Sequence, residues 1–173
     1  IYIEDNTILR AVAIKQGWLN SRPNTQSYLF DYAGELPVVS LSTNPDHFWD
    51  NDSGIYVLGP NASSEFPYFG ANFWQDWERP IHSEMVEPEG GLAFSIDAGV
   101  KIYGNYSRDY PQKSLTIFAR GAYGSPAINY QVFPEKDIES FEAIVLRNSG
   151  NDFDNTHFRD GLVSILADRA GVT

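Results

Sequence analysis

The sequence GVKIYGNYSRDYPQKSLTIFAR, residues 99–120, decides how the rest of the chain is interpreted. Two alternating runs, 100–103 and 115–118, flank a turn rich in glycine, proline and small polar residues, which predicts a β-hairpin with a long connection. The charged residues of the stretch are Lys101, Arg108, Asp109, Lys113 and Arg120. The hairpin therefore has a net charge of +3, whereas the whole chain has −11 and the remainder −14.

A basic segment in an acidic protein is a candidate anion-binding site, and phosphate is the first anion to consider. If the second strand begins near Lys113, this lysine shares a face with Leu115 and Ile117, at the rim of an apolar surface. Free N–H groups of the turn at Gly104 would add dipolar attraction. The alternative is a solvated hairpin whose charges pair with acidic surface, and spacing alone favours this alternative because such pairs are common.

Composition restricts the class of protein. A length of 173 residues with 42% hydrophobic and 14% aromatic residues predicts one buried core, with room for a short extra piece. A pI near 4.5 argues against nucleic acid and anionic membranes as partners, and no apolar run is long enough to span a membrane. The absence of cysteine excludes disulfides, thiolate zinc sites and cysteine nucleophiles. The chain opens in the middle of a strand-like pattern, which indicates a piece of a longer protein.

Short strand patterns recur along most of the chain. The predicted strands are 7–14, 26–30, 36–42, 55–58, 79–88, 92–96, the two hairpin strands, 128–132 and 142–147. One helical turn is predicted after Asn44, which is followed by proline and an acid. Residues 31–35 form a predicted linker, so residues 1–31 are interpreted as the remnant of a preceding β-sandwich and residues 36–173 as the main domain.

The end of the chain carries a helical pattern. Asn155 or Thr156 is the predicted cap and Gly171 the predicted stop. The apolar stripe of this helix consists of Phe158, Leu162, Ile165 and Leu166. The predicted fold class is therefore α+β, mostly antiparallel β with a C-terminal amphipathic helix.

Three further segments have competing interpretations. Residues 50–54, DNDSG, resemble the start of a calcium loop, but the twelfth position is Asn61 and not glutamate, so an Asx turn is preferred. Residues 147–152 connect a predicted strand to the final helix. Polar side chains at such a junction belong to a functional site or cap the helix, and the sequence favours neither interpretation. Trp49, Trp74 and Trp77 could stack on sugars, although covering the core is the simpler role. The histidines are scattered without metal-ligand spacing.

Several motifs together resemble the CotH kinase family, named for a spore-coat protein. The most specific are GxxSRxxPxKS, from Gly104 to Ser114, and LRNSGND, from Leu146 to Asp152, followed by Arg159-Asp160. The blocks 36–57 and 73–91 resemble the versions found in secreted bacterial proteins, and residues 7–30 resemble the last strands of a chitobiase C-terminal-like β-sandwich.

The resemblance implies an atypical protein kinase with a kinase-like fold reduced to its essentials. The hairpin would be the nucleotide-covering part of the N-lobe, and ATP with Mg²⁺ or Mn²⁺ the cofactor. The implied nucleotide-binding residues are Gly104, Lys101, Ser107, Arg108 and Lys113, of which Lys113 would hold the phosphates. Asn148 and Arg159 match supporting positions, and Arg159 could pair with an acid or with phosphate.

The family's acidic metal-binding and catalytic residues lie beyond the part that this chain matches. We therefore assign no catalytic or metal-binding residue here and expect no phosphoryl transfer by this chain alone. The implied substrate is an extracellular or cell-envelope protein. The competing hypothesis is an extracellular β-rich module that binds glycan or protein without catalysis.

Overall fold

A computed structural model describes residues 1–32 and 34–172, and its fold is α+β and mostly antiparallel, which confirms the predicted class. Residue 33, in the predicted linker, and residue 173 lie outside the described residues. The strands are β1 Thr7–Ala11, β2 Asn24–Tyr28, β3 Val38–Ser42, β4 Arg79–Val86, β5 Leu92–Tyr103, β6 Ser114–Phe118, β7 Ile128–Asn129, β8 Ser140–Phe141 and β9 Ala143–Leu146. The helices are α1 Asp46–Trp49 and α2 Arg159–Arg169, with 3-10 turns at Asn72–Trp74, Tyr106–Asp109 and Gly150–Asp152. Among the described helices, none has both the length and the apolar character needed to cross a membrane.

The strands form three sheets. The largest has five strands in the order β3-β4-β5-β6-β9, and in it Val38 lies opposite Val86 in an antiparallel register. Strands β1 and β2 pair as an antiparallel ribbon, and β7 and β8 form a second short ribbon. The predicted hairpin is confirmed, because β5 and β6 are neighbours in the sheet and residues 104–113 connect them.

The chain divides into two compact units. The first unit comprises Ile1–Asn44, Pro80–Gly99 and Phe118–Ala143, and the second comprises Pro45–Arg79, Val100–Ile117 and Ile144–Thr173. Strands β4, β5, β6 and β9 each contain residues of both units. The sequence boundary predicted near residues 31–36 stays a prediction.

In the first unit, β4 shows the period-two pattern of a strand that covers a core. Ile81, Ser83 and Met85 are buried on one face, as the alternation predicts. Glu84, on the opposite face, is also buried, which the alternation did not indicate. Ser27 donates its backbone N–H to Glu84 Oε2 at 2.7 Å, so this face of β4 is covered as well.

In the second unit, the core is built by the end of β5 and by β6. Val100, Ile102 and Ile117 are buried, and they pack in a unit that also buries Ile55 and Phe73. Residues 114–117 are all buried, so β6 is covered on both faces instead of facing solvent on one side.

The strand predicted at residues 55–58 is wrong. Ile55 and Tyr56 donate their backbone N–H groups to the carbonyls of His47 and Phe48, so this segment folds back on α1 as a turn. The Tyr56 ring stacks on Phe48, 5.8 Å between centroids, and contacts Trp49 at 5.0 Å. Aromatic packing on a local turn therefore outweighs the strand propensity of the segment.

Helix α2 is present, but it begins later than predicted. It starts at Arg159 and not after a cap at Asn155 or Thr156, and Asp152 Oδ2 accepts the Arg159 N–H at 3.1 Å. Its end matches the prediction, because Gly171 adopts φ +70° and the N–H of Val172 bonds the carbonyl of Ala167 in a Schellman arrangement. The predicted apolar stripe, Phe158, Leu162, Ile165 and Leu166, is exposed in the described chain.

Candidate functional site

The turn of the basic hairpin is organised by Gly104 and Arg108, both in the second unit. Gly104 has φ +110°, a backbone conformation that disfavours L side chains. Arg108 Nε donates to the Gly104 carbonyl at 2.6 Å, so the arginine folds back on the turn that contains it. A Cβ at residue 104 would lie 2.6 Å from Ser107 Oγ, which places Ser107 against the same turn.

Arg108 reaches from the turn to the aromatic segment 72–74. Its Nη1 donates to the Phe73 carbonyl at 3.1 Å, and its guanidinium lies 5.6 Å from the centroid of a Trp74 ring. Burial lowers the pKa of Arg108, while the charge of Asp76 acts in the opposite direction. The guanidinium nevertheless stays charged, because arginine side chains are not deprotonated in proteins.

Lys113 immediately precedes β6 and is only 8% exposed. Its Nζ donates to the Tyr110 carbonyl at 3.0 Å and lies 4.3 Å from the Phe73 ring centroid and 5.3 Å from that of Tyr56. Burial lowers the pKa of Lys113, and the charge of Asp109 partly opposes this. The lysine is thus more deeply buried than the rim position that the sequence predicted.

Phe73 brings the two cations together. Arg108 bonds its carbonyl and Lys113 lies over its ring. Neither cation forms a salt bridge with a carboxylate within the described chain. Lys101 differs, because its Nζ donates to the exposed carboxylate of Asp76 at 2.8 Å, and this hydrogen bond lowers the pKa of Asp76.

Asn148 fixes the far side of the turn. It is 3% exposed, and its Nδ2 donates to the carbonyls of Ser107 and Gln112 at 3.2 and 2.7 Å. Its Oδ1 accepts from Ser114 Oγ at 2.8 Å and from the Gly150 N–H at 3.0 Å. All the hydrogen-bonding groups of this amide are therefore engaged, so Asn148 positions the turn and has no group left for a ligand.

Arg159 is held at the start of α2 and does not contact the hairpin cations. Its Nε pairs with Asp152 Oδ1 at 3.1 Å, so it pairs with an acid, the first of its two predicted alternatives. Asp152 also accepts from the N–H and Oγ of Thr156. The role of Asp152 is therefore to cap the start of α2. In the same region, Arg147 pairs with Asp160 beside a cavity of about 370 Å³.

The other sequence candidates serve local structure. Asp50 Oδ1 accepts from the N–H groups of Asp52 and Ser53 and from Ser53 Oγ, which confirms the Asx turn. Among the described residues, no group of three His, Asp or Glu side chains comes close enough to hold a metal ion.

Four rings, three of them exposed, form an aromatic cluster in the second unit, which we define as Phe66, Phe69, Trp74 and Tyr106. The rings of Phe66 and Tyr106 stack at 6.0 Å, and Trp74 meets Phe69 at 5.0 Å. Phe66, Phe69 and Tyr106 are each more than half exposed, whereas Trp74 donates its Nε1–H to the Pro67 carbonyl. Of the sequence-predicted stacking residues, Trp77 lies beneath Arg79, and Trp49 is 61% exposed.

A polar network in the first unit was missed by the sequence analysis. His82 Nδ1 lies 2.8 Å from Asp97 Oδ1, and its Nε2 lies 3.1 Å from Ser95 Oγ. Glu84 Oε1 is 3.9 Å from His82 Nε2. The alternation of β4 and β5 could have placed these side chains on one face, but only the pairing of the two strands brings them into contact.

Replacing Asn148 by alanine should destabilise the protein strongly. The carbonyls of Ser107 and Gln112 lose their donor, and Ser114 Oγ loses its acceptor. We expect the free energy of unfolding, measured by urea denaturation, to fall by about 2–3 kcal/mol. Asn151→Ala, at an exposed neighbour, should change it by less than about 0.5 kcal/mol. Equal losses in the two variants would contradict this role.

Asp152 should make stability depend on acid pH. Burial opposes its ionisation, but hydrogen bonds from Thr156 and Arg159, together with the charge of Arg159, outweigh burial and hold its pKa at about 2, below the ordinary 3.8. The folded pKa is the lower one, so the stabilisation is complete above the unfolded value and is lost as pH falls from about 5 towards 2. Urea denaturation across this range should show a smaller loss for Asp152→Asn than for the wild type. Parallel pH curves for the two proteins would refute the assignment.

Comparisons with known proteins add no relative. No family model, no curated protein and no solved structure matches the chain. The CotH resemblance therefore stays a prediction that depends on the motifs at residues 104–114 and 146–160.

Proposed function

We propose that the second unit binds ATP through its phosphates, as the nucleotide-covering part of a CotH-like atypical protein kinase. The observation that carries this proposal is the convergence of Lys113 and Arg108 on Phe73 without a carboxylate partner in the described chain. An ammonium removed from water costs free energy unless a counter-charge compensates it. An anion at this place would supply that counter-charge.

Phosphate suits the donors that these two residues offer. An ammonium has three N–H donors, and the described contacts of Lys113 use one of them, on Tyr110. A guanidinium has five, and Arg108 uses two sites, on Gly104 and Phe73. Charge-assisted hydrogen bonds to phosphate oxygens are short and strong, and arginine adds planar geometry.

Gly104 and Ser107 would shape the turn around the phosphates, and Lys101 would add positive charge at the side. Asn148 would keep the turn in its position, and Arg159 would act only on the start of α2. A lysine and a positioned turn supply much of what phosphoryl transfer requires, because this chemistry is mainly positioning and charge neutralisation.

The described residues offer hydrogen-bond donors to the phosphates of a nucleotide, but they do not offer a set of ligands to its metal ion. They bring no group of three acidic or histidine ligands together, and Mg²⁺ in such sites is held largely by substrate phosphates and water. We therefore derive no step through Mg²⁺ or Mn²⁺. The protein substrate and an extracellular or cell-envelope location come from the family resemblance and are part of the same proposal.

Titration calorimetry with ATP and Mg²⁺ tests the proposal. Lys113→Met should weaken ATP binding by about ten- to a hundredfold, because it removes a charge-assisted hydrogen bond. The same variant should keep or raise the free energy of unfolding, because it removes a buried charge. Lys136→Met, at an exposed lysine of the first unit, should leave affinity unchanged. Absence of ATP binding by the folded wild type, or equal affinity in Lys113→Met, would refute the proposal.

A second candidate function is glycan binding by the aromatic cluster. Three of its rings are largely exposed, and flat apolar ring faces are suitable surfaces for sugar rings. This candidate corresponds to the non-catalytic extracellular module, with Phe66, Phe69 and Tyr106 as its contact residues in place of Trp77.

Soluble chito- and cello-oligosaccharides, titrated in the same way, test this second function. Tyr106→Ala and Phe69→Ala should each weaken oligosaccharide binding by about tenfold, since each removes one stacking ring. Phe133→Ala, which truncates an exposed ring of the first unit, is the matched control. Binding of ATP with no measurable binding of either oligosaccharide would exclude glycan recognition.

A further inference from the structure

We propose that a cavity in the first unit binds an organic cation, an alkylammonium or alkylguanidinium group. The cavity has a volume of about 470 Å³, within the range of small-ligand sites. It is lined by β2, the segment after β2, the end of β4 and the turn before β5. The polar residues that carry the proposal are Ser27, Tyr28, Asp31, Tyr32, Glu84 and Glu89. This inference is independent of nucleotide binding by the second unit.

Glu84 is the central group. Its side chain is only 5% exposed, although it lines the cavity. The Ser27 N–H satisfies Oε2 at 2.7 Å, whereas Oε1 receives no hydrogen bond from the described residues and lies 3.9 Å from His82 Nε2. Because this carboxylate belongs to a largely buried side chain and only one of its oxygens has a donor among the described residues, a bound donor with positive charge would be stabilised here.

The charge of the lining selects a cation. Asp31, Glu84 and Glu89 contribute carboxylates, and the described lining contains no lysine, arginine or histidine. A cleft lined by charges of one sign concentrates the field and attracts the opposite ion. Glu89 and Asp31 are exposed at the surface, so they would draw the cation towards the buried Glu84.

The remaining lining selects an organic cation over a metal ion. The lining includes the aromatic residues Tyr28 and Tyr32, whose rings can attract ammonium and guanidinium groups, and the apolar residues Leu29, Val86 and Leu92, which suit an alkyl chain. The carboxylates do not converge as a metal-binding group among the described residues. Free polyamines and the side chains of lysine or arginine in a peptide share the required chemistry.

Matched small probes test the charge requirement. In NMR titrations, n-butylguanidinium and n-butylammonium should shift the amide signals of Ser27 and Leu92, and n-butylurea, which has similar shape without charge, should bind at least about tenfold more weakly. Binding of butylurea with equal affinity would overturn the proposal. So would displacement of butylguanidinium by Ca²⁺ at equal concentration, because it would make the cavity a metal site.

Variants test the assigned carboxylate. Glu84→Gln keeps an acceptor for the Ser27 N–H and should weaken butylguanidinium binding by about tenfold, while Glu139→Gln, at an exposed acid outside the cavity, should not. If Glu84→Gln does not fold, Glu89→Gln at the exposed rim should still weaken binding severalfold. Unchanged affinity in the folded variants would refute the site. Spermidine and a short arginine-containing peptide then distinguish the two sources, and binding of either supports the proposal.

Discussion

The second unit depends on one buried amide. Asn148 joins three separate parts of the chain, the turn at Ser107, the residues before β6 and the turn after β9, through hydrogen bonds that use its whole side chain. Such a group is stable only when every partner is present, because an unpaired polar atom in the interior is costly. The position of the hairpin turn, and therefore of Arg108 and Lys113, follows from this requirement.

The buried cation Lys113 and the half-buried cation Arg108 lie on the turn held by Asn148. Their contacts are carbonyl oxygens and aromatic rings, which satisfy N–H groups without neutralising charge. At the buried position of Lys113, stability alone would favour an apolar side chain. The positive charges of Arg108 and Lys113 are therefore the physical reason to expect a bound anion at this turn. The rest of the chain is acidic, which makes non-specific binding of anions elsewhere less favourable.

Sequence patterns predicted what depends on local periodicity and turn chemistry. The alternation of β4, the hairpin at 99–120, the Asx turn at Asp50 and the stop at Gly171 all follow from neighbours a few residues apart. What failed depends on specific side-chain contacts, some local and some distant, that leave no periodic pattern in the sequence. The ring of Tyr56 packs on α1 and contacts Lys113, and neither contact has a signature in the apolar run at 55–58.

The candidate site shows the same contrast between residues that local patterns identify and contacts that they do not. Arg108 and Lys113 could be chosen from charge and motif, but their shared partner Phe73 lies 35 residues before Arg108 and further still before Lys113. The burial of Glu84 could not be predicted from the sequence pattern either, because it depends on Ser27, in the separate strand β2, covering β4. Contacts of this kind require knowledge of which strands and loops become neighbours.

The turn at Gly104 also has a handedness. Its φ of +110° is a conformation that suits D-amino acids, and an L side chain would in addition direct its Cβ towards Ser107 Oγ. A D-residue would place its Cβ at the other hydrogen position of the same Cα. In a chemically synthesised hairpin, D-alanine would therefore reduce the freedom of the unfolded chain while keeping the native backbone, whereas L-alanine would oppose it. The achiral residue at 104 is one of the points at which a chain of L-residues locally adopts a left-handed conformation.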